Sequence, residues 1–286
     1  MTKTEALSKM SYDIKLRGLS EYTARSYPYQ INKFFIFCDK DDVSTIDELD
    51  VRRYVIHLID AGLQNSTINT TISTIRFFFA ATMNRNVNYL QLPRMKNRKK
   101  FRIILDRDEV CDLIRSLSHD PKYQAIIMLG YGSGLRISEV VSLKIKNIDR
   151  KNNRLIIENG KGGKDRFALL PNETLHVLSH YWRLYKPNSQ GYLFPDALNG
   201  HIKASKVAYD FKKILKRSTI EKDITFHTLR HTFATHMLEK GTSITKLKEL
   251  MGHNTISTTM LYLHLVNNTN DVLSPLADIF SNNEVL

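Results

Sequence analysis

The chain has 286 residues, of which 42% are hydrophobic and 25% are charged. These fractions are typical of a folded globular protein, so intrinsic disorder and collagen-like repeats are excluded. Lysine and arginine number 42 against 29 aspartates and glutamates, a formal net charge of +13 at pH 7. Such an excess of positive charge favours a polyanionic partner.

The cysteines and the apolar stretches indicate the cellular compartment of the protein. Cys38 and Cys111 lie far apart in the chain, and neither belongs to a metal-ligand spacing. We therefore expect reduced thiols, a cytoplasmic location and no metal site. The N-terminus is interrupted by charges, unlike a secretory signal, and no apolar stretch is long enough to span a bilayer. We expect no membrane partner.

Residues 1–92 contain four helical patterns, in which apolar residues recur at intervals of three and four. The first pattern ends near Gly18, a residue type that is common just after a helix. The second begins after Ser20, and Pro28 inside it predicts a kink or a late start of the helix. The third covers about residues 48–61, and the fourth follows it. We expect these helices to pack as a small bundle.

Residues 93–104 contain six basic and no acidic side chains. Because this segment begins with a proline and has no apolar period, it predicts an extended basic linker between two domains. Its basic side chains, the candidate contacts to a polyanion, are Arg94, Lys96, Arg98, Lys99, Lys100 and Arg102. A solvated charge run without a partner is the alternative interpretation.

Residues 105–286 mix helices with a few strands. Two helices come first, and strands near 154–158 and 167–170 then flank the glycine-rich segment 159–164, which predicts a hairpin. Asn172 is expected to cap another helix, and further helical patterns cover about 204–218, 226–240, 243–251, 256–264 and 270–280. The predicted fold class is therefore mainly α with a small β-sheet (α+β), an N-terminal helical bundle followed by a mixed domain.

Two arginines lie where they could bind a phosphate. Arg136 follows a glycine-rich turn and precedes Glu139 by three residues. Arg230 lies three residues after His227, so both share one face at the positive N-terminal end of a predicted helix. Two guanidinium groups can bind the non-bridging oxygens of one phosphate. Taken alone, Arg136 could simply pair with Glu139, and His227 could be a structural histidine.

Taken together, the polar segments of this region resemble the tyrosine recombinase, or phage integrase, family, especially its compact Xer-like members. The matching motifs are, in chain order, Gly134-Leu135-Arg136-Ile137-Ser138-Glu139, Gly160-Lys161-Gly162, His227-Thr228-Leu229-Arg230-His231, Leu250-Met251-Gly252-His253, and Tyr262 after Thr258-Thr259. Their order and spacing agree with the family over residues 105–265. Met251 replaces the commoner leucine, a change that conserves volume.

The resemblance implies a site-specific DNA recombinase that requires no cofactor and acts through a phosphotyrosine. Tyr262 would be the nucleophile, forming a 3′-phosphotyrosine and releasing a 5′-hydroxyl. Arg136, Arg230 and His253 would bind the scissile phosphate and stabilise its charge during the displacement.

The resemblance also implies roles for the remaining polar residues of the motifs. Lys161 would protonate the leaving oxygen, and Lys164, in the same segment, competes with it for this role. His227 would be an acid/base partner. Glu139 would not contact the phosphate itself but would position the residues that do.

The domains and partners implied by the resemblance extend this picture. Residues 1–92 are similar to a DNA-binding core-binding domain, 93–104 would be the basic linker, and 105–286 the catalytic domain with a tail helix. Double-stranded DNA would be bound by a dimer on a full site and by a tetramer in the synaptic complex. An accessory protein is a possible further partner. The tail would dock in a neighbouring copy or fold back on its own domain. Integration, excision, transposition and dimer resolution are all compatible biological roles.

Three other classes share part of this pattern. A type IB topoisomerase-like nicking-closing enzyme would use an equivalent site without a partner duplex. A non-catalytic DNA-binding accessory protein of the same fold would lack one or more of these residues, and here the set is complete. A metal hydrolase is suggested only by the spacing of His227 and His231, beside which no carboxylate stands at ligand spacing.

Overall fold

The computed structural model describes residues 1–85, 94–96, 102–158 and 165–265. The chain divides into two compact units, Met1–Lys100 and Phe101–Leu286. Within the described ranges, no helix is both long and apolar enough to cross a membrane.

The first unit is a bundle of four α-helices, as the sequence predicts. They are α1 (Lys3–Leu16), α2 (Glu21–Cys38), α3 (Glu48–Asp60) and α4 (Asn65–Phe77), with a 3-10 turn at Val43–Thr45 and a π-helical turn at Phe78–Thr82. Their apolar faces meet in one core that includes Met10, Phe34, Phe35, Ile72 and Phe78, all fully buried. The bundle is stabilised mainly by the burial of these side chains.

The late start expected for the second helix is wrong. The helix α2 begins at Glu21, because the Ser20 hydroxyl accepts a hydrogen bond of 3.2 Å from the Thr23 amide and so caps its first turn. Pro28 lies inside the helix.

The described part of the predicted linker lies along α4 instead of standing apart from the bundle. The Asn69 side chain donates to the Met95 carbonyl and accepts from the Met95 amide, both at 2.9 Å, and Asn65 donates to the Lys96 carbonyl at 2.8 Å. The side chains of Arg94 and Lys96 remain exposed.

The second unit contains eight α-helices in its described part, together with one small sheet. The helices are α5 (Arg107–Arg115), α6 (Pro121–Gly132), α7 (Ile137–Ser142), α8 (Asn172–Tyr185), α9 (Ala204–Leu215), α10 (Phe226–Glu239), α11 (Ile244–Met251) and α12 (Ile256–Met260). The antiparallel sheet has the order β1 (Ile148–Asp149), β2 (Arg154–Ile157), β3 (Arg166–Leu169). Short 3-10 turns cover Ile145–Asn147 and Leu263–Leu265.

The mainly α class with a small sheet is confirmed, with two differences in detail. The two-residue strand β1, paired with β2 through Ile148 and Leu155, was not predicted. The helix expected over about 256–264 ends at Met260 and gives way to the 3-10 turn. The predicted tail helix near 270–280 lies outside the described residues.

The helix α10 is held against α6 by close packing, and this places the polar residues of its first turns. A Cβ atom at Gly130 of α6 would lie only 2.8 Å from the Phe226 ring, so the two helices approach each other where only glycine fits. A separate apolar cluster contains Phe233 of α10, Leu247 and Met251 of α11, and Tyr262. This cluster brings the end of the described chain to the side of α10.

Candidate active site

The carboxylate of Glu139 is the centre of a buried group of arginines. Arg136, which precedes α7, donates from Nη1 to Oε1 at 2.7 Å and from its amide to Oε2 at 2.9 Å. Arg166 of β3 donates from Nη1 and Nη2 to the two oxygens at 2.9 and 2.8 Å. A third guanidinium, that of Arg230, lies 3.8 Å from Oε2. Three positive charges therefore surround one negative charge, and the group retains an excess that suits an anion.

The ionisation of Glu139 follows from these contacts. Burial raises the pKa of its carboxyl group, but the hydrogen bonds and charge of Arg166, with the amide and charge of Arg136, outweigh burial and lower the pKa to about 2. Glu139 is therefore ionised at neutral pH.

Arg230 is almost completely buried, with 1% of its side chain exposed. Its Nη1 donates to the Gly134 carbonyl and its Nη2 to the Met251 carbonyl, each at 2.6 Å. Burial and the nearby charge of Arg136 lower the pKa of Arg230 to about 10, so it stays charged at neutral pH. The side chain connects the turn before Arg136 to the end of α11.

His253 follows that end of α11. Gly252 adopts a left-handed conformation with φ of 61°, which ends the helix and turns the chain toward His253. Nδ1 of His253 lies 2.9 Å from the Thr259 hydroxyl. Burial and the charges of Arg230 and the other nearby arginines lower the pKa of His253 to about 4, so its imidazole is neutral at pH 7.

Tyr262 is buried among these groups, with 2% of its surface exposed. Its hydroxyl lies 2.9 Å from Nδ1 of His231. The His253 ring stacks nearly parallel to the tyrosine ring, with the centroids 6.2 Å apart, and the Arg102 guanidinium lies 5.1 Å from the tyrosine centroid. Burial raises the pKa of Tyr262, and the charges of Arg102 and Arg230 oppose this effect.

The two histidines at the start of α10 lie edge to face, with centroids 4.6 Å apart. His227 is exposed on one side, whereas His231 is half-buried. Loss of solvent around the rings and the neighbouring positive charges lower both pKa values, that of His231 to about 3. Both rings are neutral at pH 7. The described ranges contain no group of three or more histidine, cysteine or acidic side chains placed to hold a metal ion.

The structure thus brings together most of the residues singled out in the sequence. Arg136, Glu139, Arg230, His253 and Tyr262 are linked by the contacts above, and His227 adjoins them through His231. Lys161 and Lys164 lie outside the described residues, as do the linker residues Arg98, Lys99 and Lys100. Arg94 and Lys96 belong to the first unit, and Arg102 lies against the Tyr262 ring.

Two members of the cluster were not among the predicted site residues. Arg166 holds Glu139 through a pair of parallel hydrogen bonds, and His231 contacts the Tyr262 hydroxyl. The spacing of His231 four residues after His227 was a usable signal, because residues so spaced share a helix face. Arg166 had no comparable signal, since a single arginine at the start of a strand is common.

Two family descriptions match the chain: the phage integrase family over residues 104–269, and the phage integrase N-terminal SAM-like domain over residues 11–86. The Sinorhizobium fredii protein y4qK is 35% identical, over 94% of this chain and 87% of its own length. A tyrosine recombinase of Thermosipho africanus is 32% identical, over 89% of this chain and 92% of its own length. The chain therefore belongs to the phage integrase family of site-specific tyrosine recombinases, enzymes that cleave and rejoin DNA.

Solved structures with a similar fold include two of lambda integrase. A crystal structure of its dimer bound to a COC′ core site has a TM-score of 0.75 at 19% identity, covering 96% of this chain and 100% of that chain. A crystal structure of its tetramer bound to a Holliday junction has a TM-score of 0.74 at 17% identity, covering 92% of this chain and 77% of that chain. At these identities the likeness concerns the fold alone.

Proposed function

We propose that Tyr262 is the nucleophile with which this recombinase cleaves DNA, forming a 3′-phosphotyrosine. The observation that carries the proposal is the burial of its hydroxyl within one cluster with Arg136, Arg230 and His253. A buried phenol among arginines and neutral histidines is an unusual arrangement for a core aromatic, whose hydroxyl commonly bonds to backbone or water.

Arg136, Arg230 and His253 bind the scissile phosphate in this proposal. Arg230 is fixed by two backbone carbonyls and Arg136 by Glu139, so both guanidinium groups are oriented before DNA arrives. Such preorganisation supports charge stabilisation in the transition state, because little reorganisation is needed when charge develops on phosphorus. Glu139 and Arg166 are positioning residues that hold this pair.

The cleavage step exchanges one phosphodiester for another. The Tyr262 hydroxyl gives up its proton to a base and its oxygen forms a bond to phosphorus, while the bond from phosphorus to the 5′ oxygen breaks and that oxygen takes a proton from Lys161. The phosphotyrosine keeps the energy of the broken bond, so a 5′-hydroxyl from another strand can reverse the step without ATP. No metal is required, because the arginines and the lysine supply the charge and the proton.

The proposal extends to the DNA-binding parts of the chain. Residues 1–92 form the core-binding domain, and the linker 93–104 contacts phosphates. The exposed Arg94 and Lys96 support this role, because hydrogen bonds from α4 hold the linker backbone beside the bundle and leave these side chains free to reach DNA. Replacing Lys96, Arg98, Lys99 and Lys100 with neutral residues should weaken binding to specific and random DNA alike, and should flatten the dependence of log affinity on log salt concentration.

Strand exchange requires several copies around two duplexes, and we propose a dimer on a full site and a tetramer in synapsis. The dimer and tetramer in which lambda integrase was crystallised on DNA support this assembly.

The tail after residue 270 docks in a neighbouring copy in this proposal. Deleting residues 270–286 should then leave a folded monomer that binds a half-site but loses cooperative binding. A markedly lower melting temperature would instead favour a tail that folds back on its own domain.

The nucleophile is tested by recovering trapped DNA. Cells of the source organism that express the tagged protein are lysed in denaturant, and the DNA that stays attached to the protein is sequenced. The wild-type chain should yield a common sequence, and Tyr262→Phe should yield none while still binding a synthetic duplex of that sequence. Attached DNA in the Tyr262→Phe variant would contradict the proposal.

A further inference from the structure

The Tyr262 hydroxyl and the His231 ring form a contact that the proposed mechanism does not yet use. Nδ1 of His231 lies 2.9 Å from the hydroxyl oxygen, within hydrogen-bonding distance, and the two rings are tilted by 49°. The imidazole is neutral, so one of its two nitrogens accepts hydrogen bonds; with its proton on Nε2, Nδ1 accepts the hydrogen bond of the Tyr262 hydroxyl.

We propose that His231 is a catalytic residue, which accepts the Tyr262 proton on Nδ1 as the phenol oxygen attacks the scissile phosphate. The oxygen–hydrogen bond of Tyr262 breaks, its electron pair forms the bond to phosphorus, and the leaving 5′ oxygen takes its proton from the general acid proposed above. In rejoining, His231 returns the proton to the departing phenol. This inference rests on the assignment of Tyr262 as the nucleophile.

The other two histidines are less well placed for this transfer. Nδ1 of His253 is engaged by the Thr259 hydroxyl at 2.9 Å, and its ring stacks on Tyr262 nearly parallel, which directs its nitrogens away from an edge contact. The His227 ring is paired edge to face with the ring of His231, with the centroids 4.6 Å apart. His227 is exposed, so it can pass a proton between the neighbourhood of His231 and solvent.

The charges around His231 make the pKa of its imidazole depend on whether DNA is bound. The groups that face it are His227 and Arg230 on its own helix, Arg102 before α5, His253 after α11, and Tyr262. Burial and the positive charges among them make His231 a weak base in the free protein. A bound phosphate opposes the charges of Arg102 and Arg230, so the pKa of His231 should rise in the complex. The nucleophile would then be activated by the phosphate that it attacks.

The experiment measures formation of the covalent adduct in a single turnover, between pH 6 and 9. The substrate is a duplex of the sequence recovered from trapped DNA, nicked a few nucleotides 3′ of the scissile phosphate so that the short product leaves. His231→Asn keeps an acceptor oxygen near the position of Nδ1 but cannot take up a proton. We expect its rate to fall by about 10²- to 10⁴-fold and to rise in proportion to hydroxide concentration, whereas the wild-type rate levels off at high pH.

A second readout uses a more acidic nucleophile. Fluorination of the Tyr262 ring lowers the pKa of the phenol, so less help from a base is needed. Incorporation of difluorotyrosine at position 262 should recover a large part of the rate lost in His231→Asn, and should change the wild-type rate far less. A structural role for His231 would not respond to the acidity of the phenol.

The chain offers a matched control on the same helix. Nδ1 of His236 lies 3.0 Å from the Tyr131 hydroxyl, a histidine–tyrosine contact of similar length that does not involve Tyr262. His236→Asn should lower stability without changing the pH profile of adduct formation.

Two results would overturn the inference. A His231→Asn rate within about threefold of wild type would show that hydrogen bonding alone suffices, and a faster His231→Ala variant would show that the contact restrains Tyr262 in the free protein. Adduct formation by Tyr262→Phe would instead overturn the assignment of the nucleophile.

Discussion

Arg166 and Glu139 face each other through two parallel hydrogen bonds of 2.9 and 2.8 Å, with less than a tenth of either side chain exposed. Arg166 also donates from Nε to the Leu250 carbonyl at 3.1 Å. One guanidinium thus joins β3 to the start of α7 and the end of α11. The orientations of Arg136 and of the turn before His253 depend on this contact.

Replacing Arg166 with alanine should lower the free energy of unfolding by about 3 kcal/mol, because one side of a buried ion pair is left with an incompletely compensated charge. Denaturant unfolding measures the change. Arg154→Ala is the control, since Arg154 on the neighbouring strand pairs with Asp149 where both are partly exposed. Its loss should stay within about 1 kcal/mol. Equal losses in the two variants would contradict the central place of Arg166.

The low pKa of Glu139 makes part of the stability depend on pH. Its pKa is about 2 in the folded protein against an ordinary value of 4.5, so above pH 4.5 the folded state gains fully from the ionised carboxylate. As the pH falls from 4.5 toward 2, the unfolded chain takes up the proton first and this gain, about 3 kcal/mol, is lost.

Unfolding of the wild type and Glu139→Gln at several pH values tests this dependence. The difference between them should be largest above pH 5 and should shrink toward pH 3. Glu158→Gln, at an exposed carboxylate that pairs with Lys146, should show a much smaller difference. A difference that is constant with pH would contradict the expected coupling.

Gly252→Ala should impair both stability and cleavage. An added Cβ atom would lie 2.6 Å from Cδ of Arg166, a side chain that its hydrogen bonds to Glu139 and Leu250 prevent from moving aside. We expect a loss of about 1–2 kcal/mol from the left-handed backbone and about 1–3 kcal/mol more from the clash. Gly241 has a φ of 82° and no atom within 4 Å of an added Cβ. Gly241→Ala should therefore lose only the stability that the left-handed backbone conformation costs. Similar losses at both glycines would exclude the clash.

The choice between Lys161 and Lys164 can be made with a modified substrate. A duplex in which sulfur replaces the 5′-bridging oxygen has a leaving group that needs no protonation. This substrate should restore cleavage to Lys161→Ala, whereas Lys164→Ala should not require it. Rescue of Lys164→Ala alone would show that Lys164, and not Lys161, is the general acid.

The same cleavage assay in EDTA tests whether the reaction needs a metal ion. We expect the wild-type protein to remain active, and complete loss of its activity would favour metal chemistry.

Local patterns in the sequence were sufficient to predict much of the fold, whereas the candidate site residues were singled out by the resemblance of their motifs to the phage integrase family. The helical periodicities indicated the elements, and the three-residue spacing of His227 and Arg230 placed both at the start of α10. The two-residue strand β1 is too short to leave a pattern. Ser20 sets the start of α2 through its cap, which outweighed the expectation drawn from Pro28.

The contacts that organise the site depend on residues far apart in the chain, and local patterns do not report them. Arg166 reaches Glu139 across 27 residues, and His231 reaches Tyr262 across 31. Each contact requires two elements to pack in one particular way, so it is decided by the tertiary fold. The burial of Tyr262 is likewise a result of the cluster with Phe233 and Met251.

The nucleophile itself can be identified by mass spectrometry of the trapped adduct. No lysine or arginine follows Lys248 in the sequence, so the tryptic peptide that begins at Glu249 contains a single tyrosine, Tyr262. After nuclease digestion of the attached DNA, we predict a nucleotide mass on this peptide, localised to Tyr262 by fragmentation. A nucleotide on any other residue, or on any other peptide, would contradict the account.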